Sequence, residues 1–139
     1  MNNLCKSGRR LYAIISKELY KSERLNVWYF IETVLKDVDE KKAEDIKLCF
    51  IEALNNISKH STTGDAIIYV ESGDNKVSVI IEDSGPGFDT SNIPDIMDNT
   101  AMEEHGRGLC IIKTLFGDKS ISSREGAGTV ITLEVQLEW

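Results

Sequence analysis

Cysteine and histidine are scarce in this chain, with three cysteines and two histidines in 139 residues. Cys5, Cys49 and Cys110 are odd in number and lack the paired spacing of a zinc site or a redox motif. We interpret Cys49 and Cys110 as small buried hydrophobic side chains and Cys5 as an incidental thiol, which fits a reducing cytoplasm. His60 and His105 have no second histidine or cysteine nearby in the sequence, which disfavours a zinc site.

Positive charge is also in deficit, because 16 basic residues face 23 acidic ones and the formal net charge is -7. This balance disfavours a nucleic-acid partner and leaves a basic protein partner open. No apolar run approaches the length of a transmembrane helix, and none follows the basic N-terminus as a signal peptide requires. With 41% hydrophobic and 28% charged residues, the chain is expected to be one cytoplasmic globular domain, residues 1–139.

Helical periodicity appears three times in the sequence. Apolar residues recur at intervals of three and four over residues 23–38, over residues 43–59 and over residues 106–116, which predicts three amphipathic helices. A polar break at residues 39–42 separates the first two. The apolar positions are Leu25, Trp28, Tyr29, Ile31, Val34, Leu35 and Val38 in the first, Ile46, Cys49, Phe50, Ala53, Leu54 and Ile57 in the second, and Leu109, Ile112, Leu115 and Phe116 in the third.

Strand patterns occupy much of the remaining chain. The predicted strands are residues 9–16 at a sheet edge, 66–71, 76–82, 119–124 and 129–137, and a hairpin connection at 72–75 joins the second and third. Residues 89–105 have no sustained periodicity, and a connection of that length typically forms a lid. This order of elements predicts an α+β protein with a two-layer α/β sandwich.

A carboxylate and a carboxamide, Glu52 and Asn56, are four residues apart on the second helix and therefore lie on one side of it. They stand at the edge of the apolar stripe, where their oxygen atoms could hold Mg²⁺ and its waters. The alternative is a solvated helix flank.

Two glycine-containing stretches suggest a nucleotide site. In the first, a strand ends at Asp83 and is followed by Gly85 and Gly87, so a carboxylate could read a base edge while the backbone approaches the ligand closely. In the second, Gly106 and Gly108 open a helix, whose N-terminus binds phosphate readily. The alternatives are an ordinary turn and a flexible hinge. Neither stretch is a Walker A loop or a Rossmann fingerprint, and the chain has no Gly-x-Ser-x-Gly nucleophile elbow.

Taken in order, these motifs resemble those of the Bergerat-fold (GHKL-type) ATP-binding domain, and most closely the bacterial anti-sigma factors that are serine-protein kinases. The resemblance extends from about Leu11 to Leu137. It implies a mixed, mostly antiparallel sheet covered by helices on one face, with a mobile lid over ATP.

The resemblance also assigns roles to individual residues. It makes Glu52 the general base that activates the attacking hydroxyl group and Asn56 the protein ligand to Mg²⁺. Asp83 would hydrogen-bond the adenine amino group, and Thr129 would support the adenine pocket through Asp83 and a water. The other residues it places at the nucleotide are Lys59, His60, Gly85, Gly87, Gly106, Arg107, Gly108 and Leu109.

The implied cofactors are ATP and Mg²⁺, and the implied partners are a STAS-domain antagonist protein, a sigma factor and a second copy of the chain. One departure concerns Glu104, which stands where family kinases often have an arginine, so the sequence supports ATP binding more strongly than phosphoryl transfer. Two alternatives stay open. One is a non-catalytic, nucleotide-gated protein-binding module. The other is the catalytic domain of a histidine kinase system acting in trans, which is disfavoured because His60 and His105 both lie inside the nucleotide motifs.

Overall fold

A five-stranded sheet carries the fold, in a computed structural model that describes residues 9–15, 29, 31–33, 35–60, 66–73, 75–83, 85–87, 93, 104–123 and 126–137. The strands run in the order β1-β2-β3-β5-β4. Their bounds are β1 Arg9–Ile15, β2 Ala66–Gly73, β3 Lys76–Asp83, β4 Ile121–Ser123 and β5 Thr129–Gln136, with the helices α1 Glu40–His60 and α2 Glu104–Phe116 and the 3-10 turns Leu35–Asp37 and Asp118–Ser120.

The prediction of a mixed sheet is corrected in one respect, because every neighbouring pair of described strands is antiparallel. The chain runs from β3 through α2 to β4, a connection that would pair these two strands in parallel if they were neighbours. Strand β5 lies between them and pairs antiparallel with both. The two-layer architecture itself is confirmed.

Helix α1 begins at Glu40, earlier than the predicted residue 43. Asp39 caps it, since the side-chain Oδ2 accepts a hydrogen bond from the backbone N–H of Lys42 at 3.3 Å and its carbonyl accepts one from Ala43 at 2.9 Å. An aspartate at the N-cap satisfies helix donors that would otherwise lack partners. The supposed polar break at residues 39–42 is therefore the cap and the first turn of the helix.

The first predicted helix is confirmed only where the structure describes it, at residues 29 and 31–33, which lead into the turn Leu35–Asp37. Ile31 and Leu35 are buried as predicted. Tyr29 was wrongly placed on the apolar face, because its side chain is 64% exposed. It stands about 200° around the helix from Ile31 and thus on the opposite side. Residues 23–28 lie outside the described part of the chain.

Helix α2 begins at Glu104 rather than at Gly106, so both glycines lie within the helix rather than in front of it. Leu109 and Ile112 are buried, as predicted. Leu115 was wrongly assigned to the buried face, because it is 40% exposed. Most of the predicted lid, residues 89–105, lies outside the described residues.

The two hairpins differ from their predictions at the strand ends. Strand β2 continues to Gly73, which pairs with Lys76, so the hairpin connection is tighter than predicted and Asn75 adopts a φ of 62°. Strand β4 is shorter than predicted, because Asp118–Ser120 forms a 3-10 turn in which the Ser120 hydroxyl donates to the carbonyl of Gly117 at 2.6 Å.

The core lies between the helices and one face of the sheet. Helix α1 packs against β3, β5 and α2. Alternate residues of the strands face these helices, as a half-covered sheet requires. The buried strand residues include Ile68, Val70, Val77, Val79, Ile81, Ile121, Ile131, Leu133 and Val135. Within the described residues, no helix combines the length and apolar character that crossing a membrane requires.

Candidate functional site

The two helices meet at Glu52 of α1 and Gly108 of α2. A Cβ atom added at Gly108 would lie 2.8 Å from Oε2 of Glu52 and 3.5 Å from its Cβ. Glycine at this position therefore lets α1 approach the beginning of α2. The carboxylate of Glu52 consequently lies against α2 at its fifth residue, directly after the first turn.

One turn further along α1, Asn56 presents an oxygen atom that lacks a partner. Its Oδ1 is buried, and no residue in the described part of the chain donates a hydrogen bond to it. A buried carbonyl oxygen without a donor is costly, so it is a suitable ligand for a cation. A protein site for Mg²⁺ often supplies only one or two oxygen ligands and leaves the rest to phosphates and water. Asn56 therefore fits Mg²⁺ held jointly with a nucleotide.

A complete metal site made by the protein alone is not seen among the described residues, which contain no group of three or more His, Cys, Asp or Glu side chains with suitable geometry.

At the end of β3, the carboxylate of Asp83 accepts a hydrogen bond from the backbone N–H of Gly85 at 2.7 Å. Burial raises the pKa of Asp83, and the bond from Gly85 opposes that shift by favouring the ionised form. The half-buried side chain has further oxygen lone pairs, which can accept hydrogen bonds from a ligand that brings N–H groups.

Asp83 belongs to a row of three polar residues across the sheet. Thr129 of β5 pairs directly with Asp83, and Ser123 of β4 pairs directly with Thr129. The preceding row on the same face is apolar and consists of Ile81, Ile131 and Ile121. Directly opposed residues have Cβ atoms about 4.5–5.5 Å apart. The three polar side chains thus stand side by side where the core ends.

Hydrogen bonds join the β4 side of this row. The Ser123 hydroxyl donates to the carbonyl of Gly128 at 3.0 Å and lies 2.8 Å from the hydroxyl of Thr129. Thr129 is almost fully buried. Sequence reasoning missed Ser123, whose proximity to Thr129 follows only from the pairing of β4 with β5.

The loops beside the row are also joined. The backbone N–H of Gly126 donates to the carbonyl of Pro86 at 2.5 Å, so the loop after β3 contacts the loop between β4 and β5. Gly87 adopts a φ of 67°, a conformation that residues with a Cβ rarely take. The local backbone conformation therefore explains why this predicted site position holds a glycine.

The remaining predicted site residues fall on the two helices. Lys59 and His60 end α1, and Gly106 and Arg107 lie in the first turn of α2. The side chains of Lys59, His60 and Arg107 lie outside the described part of the structure. Leu109 is 2% exposed, so its side chain packs in the core.

Comparison with known proteins shows the family of the chain. The family model of the histidine kinase-like ATPase domain matches residues 24–135. The chain belongs to this family. This match covers most of the chain and confirms the predicted family. The matched range also includes every residue of the candidate site, from Glu52 to Thr129.

Curated relatives with similar sequences include the serine-protein kinases RsbW of Bacillus thuringiensis, Bacillus cereus and Bacillus anthracis. Each is 30% identical to this chain over 105 residues, an alignment that covers 68% of this chain and 66% of the relative. The chain thus spans just under two thirds of the length of these relatives.

Proposed function

We propose that this ATPase-family chain binds ATP with Mg²⁺ and transfers the γ-phosphoryl group to a serine of a STAS-domain antagonist protein. The observation that carries the proposal is the packing of Glu52 against α2 at Gly108, where an added Cβ would lie 2.8 Å from Oε2. The resemblance to anti-sigma factor kinases adds a sigma factor as a second partner and the cytoplasm as the location. The similarity to serine-protein kinases supports serine as the acceptor.

Glu52 acts as the general base in this proposal. Bound ATP supplies the transferable phosphoryl group. Oε2 of Glu52 accepts the proton of the serine hydroxyl while the serine oxygen bonds to phosphorus and the bond to the ADP oxygen breaks. A positioned base contributes about 10²- to 10⁴-fold to a proton transfer of this kind.

Other residues would bind and orient the nucleotide. The N–H groups of the first turn of α2 favour phosphate, and Oδ1 of Asn56 would hold Mg²⁺. At the other end, Asp83 and Thr129 would recognise the base through hydrogen bonds. Since transfer depends mainly on positioning and charge neutralisation, these contacts support the reaction without taking part in bond making.

The test is transfer of radiolabelled phosphate from ATP to a purified STAS-domain protein, with wild type compared with Glu52→Gln. We expect Glu52→Gln to reduce the transfer rate by about 10²-fold or more and to leave Mg·ADP binding nearly unchanged. Glu44→Gln, which removes an exposed carboxylate on the same helix, is the matched control. Undiminished transfer by Glu52→Gln would exclude Glu52 as the base, and failure of the wild type to bind nucleotide would refute the proposal altogether.

A second candidate function is a nucleotide-gated protein-binding module without phosphoryl transfer. Glu104, the first residue of α2, favours it, because the sequence has an acidic residue at the position where kinases of the family often have an arginine. Under this proposal, partner affinity differs between the ATP-bound, ADP-bound and nucleotide-free protein, and Glu52→Gln changes none of these affinities. Equal affinities in the three states would exclude it.

We also propose that the chain forms a homodimer. The sheet face turned away from the helices carries the apolar side chains Ile67, Tyr69, Ile80 and Val130, none of which is fully buried. Light scattering should give twice the chain mass at micromolar concentration, and Ile80→Glu should shift the equilibrium towards the monomer. A monomer at all accessible concentrations would refute the dimer.

A further inference from the structure

The polar row Asp83, Thr129 and Ser123 contains one hydroxyl pair whose donor and acceptor can be assigned. The carbonyl of Gly128 can only accept, so its 3.0 Å bond with Ser123 uses the single proton of the serine hydroxyl. At the 2.8 Å contact between Ser123 and Thr129, the serine oxygen is therefore the acceptor and the threonine hydroxyl is the donor. This is the arrangement that satisfies both contacts.

The assignment fixes what Thr129 can offer to a ligand. A threonine hydroxyl has one proton, and here that proton points to Ser123 on the β4 side. On the β3 side, towards its direct partner Asp83, the oxygen then presents only lone pairs. The oxygen atoms of Thr129 and Asp83 therefore form two neighbouring acceptors.

Two adjacent acceptors discriminate between purine bases. An exocyclic amino group, or an amino group with a bridging water, supplies the donors that such a pair requires. A carbonyl at the same ring position brings a third acceptor and leaves buried polar atoms unpaired, which sites of this type reject strongly.

We propose that Ser123 is a specificity-determining residue, which selects 6-amino purines over 6-oxo purines by holding the Thr129 hydroxyl as an acceptor. Ser123 does not touch the base in this account and acts through Thr129. The inference rests on the proposed function, because it presumes that the row binds the base of a nucleotide.

The test compares the dissociation constants of ADP and inosine diphosphate in the presence of Mg²⁺ for wild type and Ser123→Ala. Inosine diphosphate differs from ADP by carrying a carbonyl instead of the 6-amino group. In Ser123→Ala the Thr129 hydroxyl loses its acceptor and can rotate to donate to that carbonyl. We expect the preference for ADP to fall by about tenfold, the effect of one hydrogen bond of ordinary strength.

Two further variants distinguish the effect of the Ser123 hydroxyl group from a general effect of substitutions in β4. Ser123→Thr keeps a hydroxyl group at the same strand position and should restore the preference for ADP. Ser122→Ala alters the neighbouring exposed serine, whose side chain points to the other face of β4, and should leave the preference unchanged. A parallel loss of affinity for both nucleotides in Ser123→Ala would mean a purely structural role and would overturn the inference.

A nucleotide-free measurement keeps the inference separate from the proposed function. Nuclear magnetic resonance of the apo protein should show a slowly exchanging Thr129 hydroxyl proton close to the β-protons of Ser123, and this signal should vanish in Ser123→Ala. Its absence from the wild type would overturn the assignment even if Ser123→Ala failed to fold. If the wild type prefers ADP and Ser123→Ala leaves the ratio of the two dissociation constants unchanged, this inference alone is overturned. If the wild type binds neither nucleotide, the proposed function is overturned and the inference with it.

Discussion

Replacing Gly108 with alanine would test how the contact between the two helices serves the reaction. The added Cβ would lie 2.8 Å from Oε2 of Glu52. An ordinary nonbonded contact is about 3.5 Å, so the carboxylate oxygen would have to move by roughly 0.7 Å. The other atoms of Glu52 near the new Cβ, its own Cβ at 3.5 Å and its Cδ at 3.7 Å, are at ordinary distances, so only the end of the side chain is displaced.

The expected effect of Gly108→Ala on stability is small, whereas the expected effect on activity is large. Alanine is favoured over glycine in a helix by about 1 kcal/mol, which offsets a rotamer cost of about 0.5–1.5 kcal/mol at Glu52. The melting temperature should therefore change by no more than about 4 °C. The phosphotransfer rate should nevertheless fall by about 30- to 100-fold, because a misplacement of about 1 Å at a catalytic group costs about that much.

A double-mutant cycle decides whether the effect passes through Glu52. Phosphotransfer rates are measured for wild type, Gly108→Ala, Glu52→Gln and the double variant, alongside Mg·ADP affinity for each. If Gly108→Ala acts by displacing the carboxylate, the double variant is no slower than Glu52→Gln alone. Thr114→Ala, an exposed change on α2, is the control for helix propensity. Equal factors in both backgrounds, or full activity of Gly108→Ala, would refute the reasoning.

Three other predictions concern the aspartate at the end of β3, the buried thiol of α1 and the cap of α1. Burial raises the pKa of Asp83, so as the pH is lowered, nucleotide affinity measured by calorimetry should begin to fall at a higher pH than it would with an ordinary aspartate. Asp83→Asn should weaken nucleotide binding by about 10- to 100-fold. The same change should not destabilise the apo protein at pH 7, since burial disfavours the ionised form of Asp83. Burial, with the charges of Asp45 and Glu52, raises the pKa of Cys49 to about 12. Mass spectrometry should therefore find this thiol unmodified by iodoacetamide at pH 8 in the folded protein and modified in urea, and rapid labelling of Cys49 in the native protein would contradict this. Asp39→Ala should lower the free energy of unfolding in urea by about 1 kcal/mol through loss of the cap, and an equal loss in Asp39→Asn, which keeps an acceptor, would argue against capping.

Features that depend on local periodicity could be predicted from the sequence. The buried stripe of α1 and the strands β3 and β5 follow from spacings of three to four residues and of two, respectively. Glu52 and Asn56 share a helix side for the same reason. The end of β3 at Asp83 was visible because an apolar run stops there and turn residues follow.

Errors arose where a local signal was ambiguous. The start of α1 was placed too late because the cap residue Asp39 was interpreted as part of a break. The recurrence of large apolar side chains near the helical period predicts Tyr29 and Leu115 in the core, but both side chains are exposed. An exposed apolar residue is common, so chemical type alone does not establish burial.

Other features depend on contacts between residues far apart in sequence, which no local pattern reveals. The contact of Glu52 with Gly108 depends on the packing of two helices. The lack of a hydrogen-bond donor to Oδ1 of Asn56 among the described residues depends on the surroundings of that atom. Ser123 joined the candidate site only through the pairing of β4 with β5.

The position of Ser123 on β4 links base recognition to the local stability of a sheet edge. Among the residues that the structure describes, β4 has three residues and pairs with one strand, β5, so opening this edge breaks few of the described hydrogen bonds. Each opening would release the Thr129 hydroxyl from Ser123, and the apparent dissociation constant for ADP would then rise as the fraction of molecules with the edge closed falls. Amide hydrogen exchange at residues 121–123 should accordingly slow in proportion to nucleotide saturation, while exchange at the opposite edge, β1, serves as the internal reference.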